Sequence, residues 1–142
     1  MNPKGPRLVA TAAVAIEDFP VAVAWTPDGS ALTVGGGEGR LYLLRADGSP
    51  AHQFGEHAPG VLQLAWQPKG TWLASSGQDG SVQVWSALDA DPATRTLHRA
   101  ARWPAGLAWR GDGKVQGTGL RAGQGRTAVR SAGRIRRKTC RP

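Results

Sequence analysis

One phrase recurs three times along this chain at nearly constant spacing, and a repeat of that period restricts the possible folds more than any local pattern does. The copies are Val23-Ala24-Trp25-Thr26-Pro27-Asp28-Gly29, Leu64-Ala65-Trp66-Gln67-Pro68-Lys69-Gly70 and Leu107-Ala108-Trp109-Arg110-Gly111-Asp112-Gly113. Their tryptophans stand 41 and 43 residues apart. Between the first two copies the match runs on for twenty residues without a gap. Trp25/Trp66, Pro27/Pro68, Gly29/Gly70, Leu32/Leu73, Gly36/Gly77 and Gly39/Gly80 are identical across it.

Within each unit the apolar residues alternate, as in Val21, Val23, Trp25 and in Leu62, Leu64, Trp66, which places them on one face of a pleated strand. Pro-Asp-Gly or Pro-Lys-Gly follows, with Pro setting φ at the first corner of a turn and Gly accepting the positive φ after it. Second strands are expected over residues 31–34 and 72–76, third strands over 40–44 and 81–85, and weaker fourth strands near 51–54 and 94–98. No helical spacing occurs. The 20 Gly and 10 Pro among 142 residues suit such a succession of tight turns.

Four short strands per 40–45 residues, together with Gly-Gln-Asp-Gly-Ser-Val-Gln-Val-Trp-Ser at 77–86, make the chain resemble the WD-repeat (WD40) β-propeller family, in the bacterial style with Trp rather than Phe on the first strand. The resemblance implies an all-β fold: a partial β-propeller of four-stranded antiparallel blades, with a disordered basic C-terminal tail. Residues 1–8 are an N-terminal extension, 9–113 the repeat region, and 114–142 the tail. The blades fall at about 17–56 and 57–98, with an incomplete one at 99–118. By position in the family pattern, His57, Ser75, Asp79 and Trp85 form its structural hydrogen-bond network. Asp79 would orient the imidazole, the ring and hydroxyl would pass hydrogen bonds inward, and the indole N–H would close the chain. Ser86 replaces the usual Asp after the tryptophan. The first unit has Ile16, Val34, Glu38 and Leu44 at the corresponding places, so that blade would rest on apolar packing. Trp25, Trp66 and Trp109 recur at one strand position and are read as the repeat core. Trp72 and Trp103 do not recur and are candidates for exposure.

The third unit begins well and then loses its pattern. Val115-Gln116-Gly117-Thr118 stands where Trp72-Leu73-Ala74-Ser75 should repeat, and Ala122 and Ala128 occupy the Asp79 and Trp85 positions. From Lys114 onward there is no Trp, Tyr, Phe, Asp or Glu. A segment so poor in apolar bulk is expected to stay disordered. The formal charge of +8 belongs to it, because residues 1–113 hold nine Lys or Arg against all ten acids. Two readings of the tail compete. It binds nucleic acid or an acidic surface through Arg134, Arg136, Arg137 and Lys138, or it lies out of the reading frame of a longer propeller. Propellers close with about four to eight blades, and about two and a half are legible here, so the exposed strand edges invite self-association.

Other candidates have plainer readings. Lys4 and Arg7 precede an apolar stretch at 8–16 that reads either as a strand or as the core of a signal peptide. No apolar run approaches the roughly 18 residues that span a bilayer. Gly35-Gly36-Gly37-Glu38-Gly39 lacks the following helix of a phosphate-binding loop and reads as a turn. His52 and His98 have no carboxylate at ligand-like spacing, and the single cysteine, Cys140, has no positioned base. No catalytic residue, metal site or cofactor is implied. The resemblance to WD-repeat proteins implies a non-catalytic scaffold that binds other proteins, with residues 26–30, 67–71, 56–60 and 89–93 as contact candidates by position, and a cytoplasmic location is expected. The alternative is a nucleic-acid-binding protein acting through its tail.

Overall fold

A computed structural model describes residues 5, 6, 9–99, 104–112, 114–120 and 127–132, with the backbone alone for 98, 105, 116–120 and 127–132. Eleven strands are formed: β1 (Pro20–Trp25), β2 (Ala31–Gly36), β3 (Arg40–Arg45), β4 (His52–Glu56), β5 (Val61–Trp66), β6 (Leu73–Gly77), β7 (Ser81–Trp85), β8 (Thr94–Arg99), β9 (Pro104–Trp109), β10 (Val115–Leu120) and β11 (Thr127–Ala132). They make three antiparallel meanders, β1-β2-β3-β4, β5-β6-β7-β8 and β9-β10-β11. The described residues contain no helix. The fold is a partial β-propeller.

The turns close as their residues dictate. In the first, Gly29 (φ 73°) donates its N–H to the Thr26 carbonyl at 2.9 Å. Asp28 accepts from the Ser30 N–H (3.0 Å), the Thr26 hydroxyl (2.7 Å) and the Ser30 hydroxyl (2.8 Å). These bonds, that of the Ser30 backbone foremost, hold its carboxyl down to about 2. Register then follows from alternation: Val23 stands opposite Val34 and Val34 opposite Tyr42, as Leu64 stands opposite Ser75 and Ser75 opposite Gln83. One face of each sheet therefore carries the residues of odd or even register that meet the sheet before it.

Between the first and second sheets Ala31, Leu41 and Leu43 pack with Val61, Trp66, Leu73 and Trp85. Between the second and third, Ala74 and Val84 pack with Val115, and Leu107 and Trp109 flank them. Glycines admit the closest approaches. A Cβ at Gly55 would fall on the Trp85 ring, and one at Gly39 on the carbonyl oxygen of His57. Gly39 also lies at φ 102°, where an L side chain is strained. Gly39→Ala is therefore expected to lose about 2–3 kcal/mol, read as a lowered urea midpoint at unchanged slope. A loss below about 0.5 kcal/mol would show that the loop around His57 yields freely.

Two expectations are corrected. The stretch at 8–16 forms no strand where it is described: residues 9–16 run as irregular chain up to β1. In the tail, β10 and β11 are strands rather than disordered chain, and Gly117 stands opposite both Leu107 and Arg130. The physical reason is that a ladder is made by backbone N–H and C=O groups, which every residue here supplies whatever its side chain. Residues 121–126 and 133–142 of the tail lie outside the described residues.

Candidate functional site

Among the described residues, a connected cluster of polar side chains lies where the chain crosses from the first sheet to the second. His57 follows β4, Ser75 sits on β6, Asp79 in the β6–β7 turn, and Ser81 and Trp85 on β7. Asp79 is held by its own turn, accepting from the Ser81 N–H at 3.0 Å and from the Ser81 hydroxyl at 2.8 Å. Its Oδ1 lies 3.2 Å from His57 Nδ1, and His57 Nε2 lies 2.6 Å from Ser75 Oγ. The Trp85 indole N–H donates to the same Ser75 oxygen at 2.7 Å.

These contacts assign the protons. Ser75 Oγ accepts from Trp85, so its one hydrogen is free to go to His57 Nε2. The ring then carries its proton on Nδ1 and gives it to Asp79, with Ser81 Oγ at 3.1 Å as a second acceptor. Burial pushes the His57 pKa down, against the charge and hydrogen bond of Asp79. The neutral tautomer is the resident form. Burial pushes Asp79 up, but the Ser81 backbone and hydroxyl bonds and the His57 ring outweigh it, and its pKa is lowered.

Asp79, His57 and Ser75 have the connectivity of an acid–base–nucleophile triad, and their surroundings deny them that chemistry. Ser75 and His57 are both 0% exposed, and the serine oxygen already accepts from an indole. No substrate carbonyl can reach an oxygen so enclosed. The arrangement ties β6 to β7 and both to the chain crossing, which is mechanical work.

A second set of bonds joins sheet to sheet. The Trp66 indole N–H donates to Thr33 Oγ1 at 3.1 Å, and that hydroxyl donates to the Ala24 carbonyl at 2.9 Å. One sheet further on, the Trp109 indole donates directly to the Ala65 carbonyl at 2.8 Å. Ala24 and Ala65 occupy the same place in successive repeats. The recurrent tryptophan is thus a latch onto the preceding sheet.

Trp25 requires a correction. Trp66 is 8% exposed and Trp109 half-buried, but Trp25 is 58% exposed and belongs to no core cluster. The reason is positional: among the described residues no sheet precedes β1, so the face that its siblings bury is open. Trp72 packs against the second core cluster, and Trp103 lies outside the described residues. His52 is exposed on β4, the His98 side chain is not described, and Cys140, Arg134, Arg136, Arg137 and Lys138 lie outside the described residues. Of the display loops, residues 27–30 and 89–91 are exposed, whereas Thr26, His57 and Gly60 are buried. Thr26 is folded into its own turn by Asp28 and the Ala31 N–H.

Sequence reasoning missed Ser81 and Thr33. Ser81 had a signal in Asp79-Gly80-Ser81, which repeats Asp28-Gly29-Ser30, where the carboxylate likewise binds the N–H and hydroxyl of the serine two residues on. Thr33 had none, because its partner is 33 residues away.

The family model described as WD domain, G-beta repeat matches residues 48–86. That span takes in β4 of the first sheet and β5–β7 of the second, so the sequence repeat straddles two sheets and His57 stands at the crossing. The F-box-like/WD repeat-containing protein TBL1X of Mus musculus is 32% identical over 63 residues, 44% of this chain and 12% of its own length. WD repeat-containing protein 1-B of Xenopus laevis is 35% identical over 95 residues, 61% of this chain and 15% of its own. Among solved structures, a chain of the mitotic checkpoint complex superposes with a TM-score of 0.61 at 27% identity, covering 68% of this chain and 30% of that one. The structure of U3-55K superposes with a TM-score of 0.65 at 20% identity, over 73% and 34%. The chain thus spans about a third of these solved propellers and 12–15% of those two curated relatives. These similarities are to WD-repeat proteins, and nothing in them supports the bacterial style that Trp on the first strand suggested.

Proposed function

We propose that this chain is a non-catalytic WD-repeat scaffold that binds other proteins through the loops at one end of its sheets. One observation supports this most: the His57 cluster spends its polar atoms internally, while exposed polar residues gather on the connections at one end. The β1–β2 turn, the β3–β4 loop, the β5–β6 turn and the β7–β8 loop all lie there by antiparallel order, and the Ala46 N–H reaches the Ser30 carbonyl across that end at 3.5 Å. Rigid sheets carrying variable loops are a common basis for recognition. WD-repeat relatives and a neighbour taken from a multiprotein complex favour the same reading. The single cysteine fits a reducing compartment, and the proposed place of action is the cytoplasm.

The test uses the full chain and a Lys69→Glu, Asp89→Lys double variant, both positions being exposed loop residues. A protein retained by immobilised wild type should bind the variant about tenfold more weakly, a change of ~1.4 kcal/mol, while the circular dichroism spectrum stays the same. Retention of no protein above a blank matrix, or equal retention by both chains, would sink the proposal.

A further inference from the structure

We propose that a cavity at the junction of the first two sheets is the seat for a short segment of a partner protein, one that sets an apolar side chain between an acidic and a basic residue. The inference rests on the scaffold reading above and gives its recognition a defined place. The cavity measures about 360 Å³ and opens between β3 and β4 of the first sheet and the loop after β7 of the second. Its lining includes Leu43, Ala87 and Leu88, which also pack in the core that joins these sheets. One wall adds Arg45 and His52. His52 stands opposite Leu43 in the β3–β4 ladder and Arg45 is two residues on from Leu43, so the three share one side of the sheet. The facing wall adds Asp89.

These polar groups are unspent. Among the described residues Arg45, His52 and Asp89 enter no ion pair, and their side chains make no hydrogen bond. Asp47 attracts Arg45, but its carboxylate already accepts from the Ser49 N–H at 2.9 Å and from the Ser49 hydroxyl. Charges of both signs, held on facing walls over apolar side chains, are complementary to a ligand with the same features in the opposite order. The site is also fixed before anything binds, which lowers the cost of ordering it. Ser86 closes the loop after β7, accepting from the Ala93 N–H with its hydroxyl at 2.8 Å and donating its own N–H to the Ala93 carbonyl at 3.0 Å. The Asp89 N–H returns to the Ser86 carbonyl at 3.0 Å. Around the cavity Arg45, Pro50, His52, Asp89 and Ala90 are all exposed. A rim so open cannot enclose a small molecule, whose sites bury most of its surface, but it admits side chains from a segment passing over it.

Short random peptides selected on the immobilised full chain test this. The enriched peptides should share an apolar residue flanked by one acid and one base. Arg45→Glu should weaken their binding about tenfold. Peptides in which the acid is replaced by Lys should recover most of that loss on the Arg45→Glu chain, a rescue that a misfolded variant could not give. Ala90→Trp should weaken both kinds of peptide by filling the cavity. Arg45 and Ala90 are exposed, so both variants should keep the wild-type circular dichroism spectrum. A selection that enriches no such pattern overturns the proposal. So does equal binding of the enriched peptides to wild type and Arg45→Glu, and so does binding undiminished by Ala90→Trp, which would place the contact elsewhere. The scaffold reading is tested by protein retention at Lys69 and Asp89, on another loop and on the facing wall, so peptides that fail here leave it standing.

Discussion

Trp85→Ala is expected to lower the stability of the chain by about 3–5 kcal/mol, which against the 5–15 kcal/mol of a typical domain is enough to populate unfolded chain at ambient temperature. The ring is 5% exposed. It meets Phe54 edge to face at a centroid distance of 5.7 Å and 77°, and His57 at 6.2 Å and 74°. Gly55 lies against its six-membered ring, since a Cβ there would overlap it. Phe54 and Gly55 belong to the first sheet and His57 to the crossing, so one side chain holds two sheets and the polar cluster together. Removing it opens a cavity that rigid sheets cannot fill by collapse. Trp85→Phe separates the contributions, because it keeps most of the area and loses the N–H that Ser75 accepts at 2.7 Å. Its cost should be about 1–1.5 kcal/mol. Trp25→Ala, at an exposed copy of the recurrent tryptophan, should cost a monomeric chain less than about 0.5 kcal/mol. Urea unfolding followed by circular dichroism gives all three values. A Trp85→Ala loss no larger than that of Trp25→Ala would mean that the junction between the first two sheets carries little of the stability.

The sequence made the second unit readable because each step there was local or strictly periodic. Alternation placed Leu64 and Trp66 on one face, Asp79-Gly80 placed a turn, and a repeat of 41 residues fixed which turn met which strand. Direction was harder. The recurrence of Trp25, Trp66 and Trp109 shows that the three are equivalent, but burial depends on what lies in front of each, and the first has nothing in front of it among the described residues. Equivalence in sequence is equivalence of orientation, not of environment. Thr33 was invisible for a related reason: its hydroxyl serves the indole of the next repeat, and no pattern within one repeat predicts a bond between two. The third sheet was misjudged because its side chains were weighed as a core, whereas β10 and β11 are described as backbone ladders whose hydrogen bonds do not depend on residue type.

Acid is expected to weaken the fold from about the usual histidine pKa of 6.5 downward, and His57 is the residue that sets this upper limit. Protonation would put a hydrogen on Nε2, which faces Ser75 Oγ at 2.6 Å. The Ser75 hydroxyl hydrogen, which Nε2 accepts in the neutral ring, would then lose that acceptor inside a buried site. Burial lowers the pKa of the folded ring, while the unfolded ring takes up its proton at the ordinary value. Between those two values the unfolded chain holds more protons than the folded one, and stability therefore falls as pH falls. Asp79 adds a second, more acidic window. Its folded pKa is lowered, so the stability it contributes is present above the ordinary 3.8 and is lost as pH drops through the folded value. His57→Leu separates the two windows. It should cost about 3 kcal/mol at neutral pH, because Ser75 and Asp79 each lose a partner, and it should flatten the decline that begins near 6.5 while leaving the carboxylate window in place. Urea midpoints measured about one pH unit above and below 6.5, for wild type and variant, decide the matter. An equal decline in both chains would assign the acid sensitivity to other groups and show that the His57 ring titrates in the folded chain much as it does in the unfolded one.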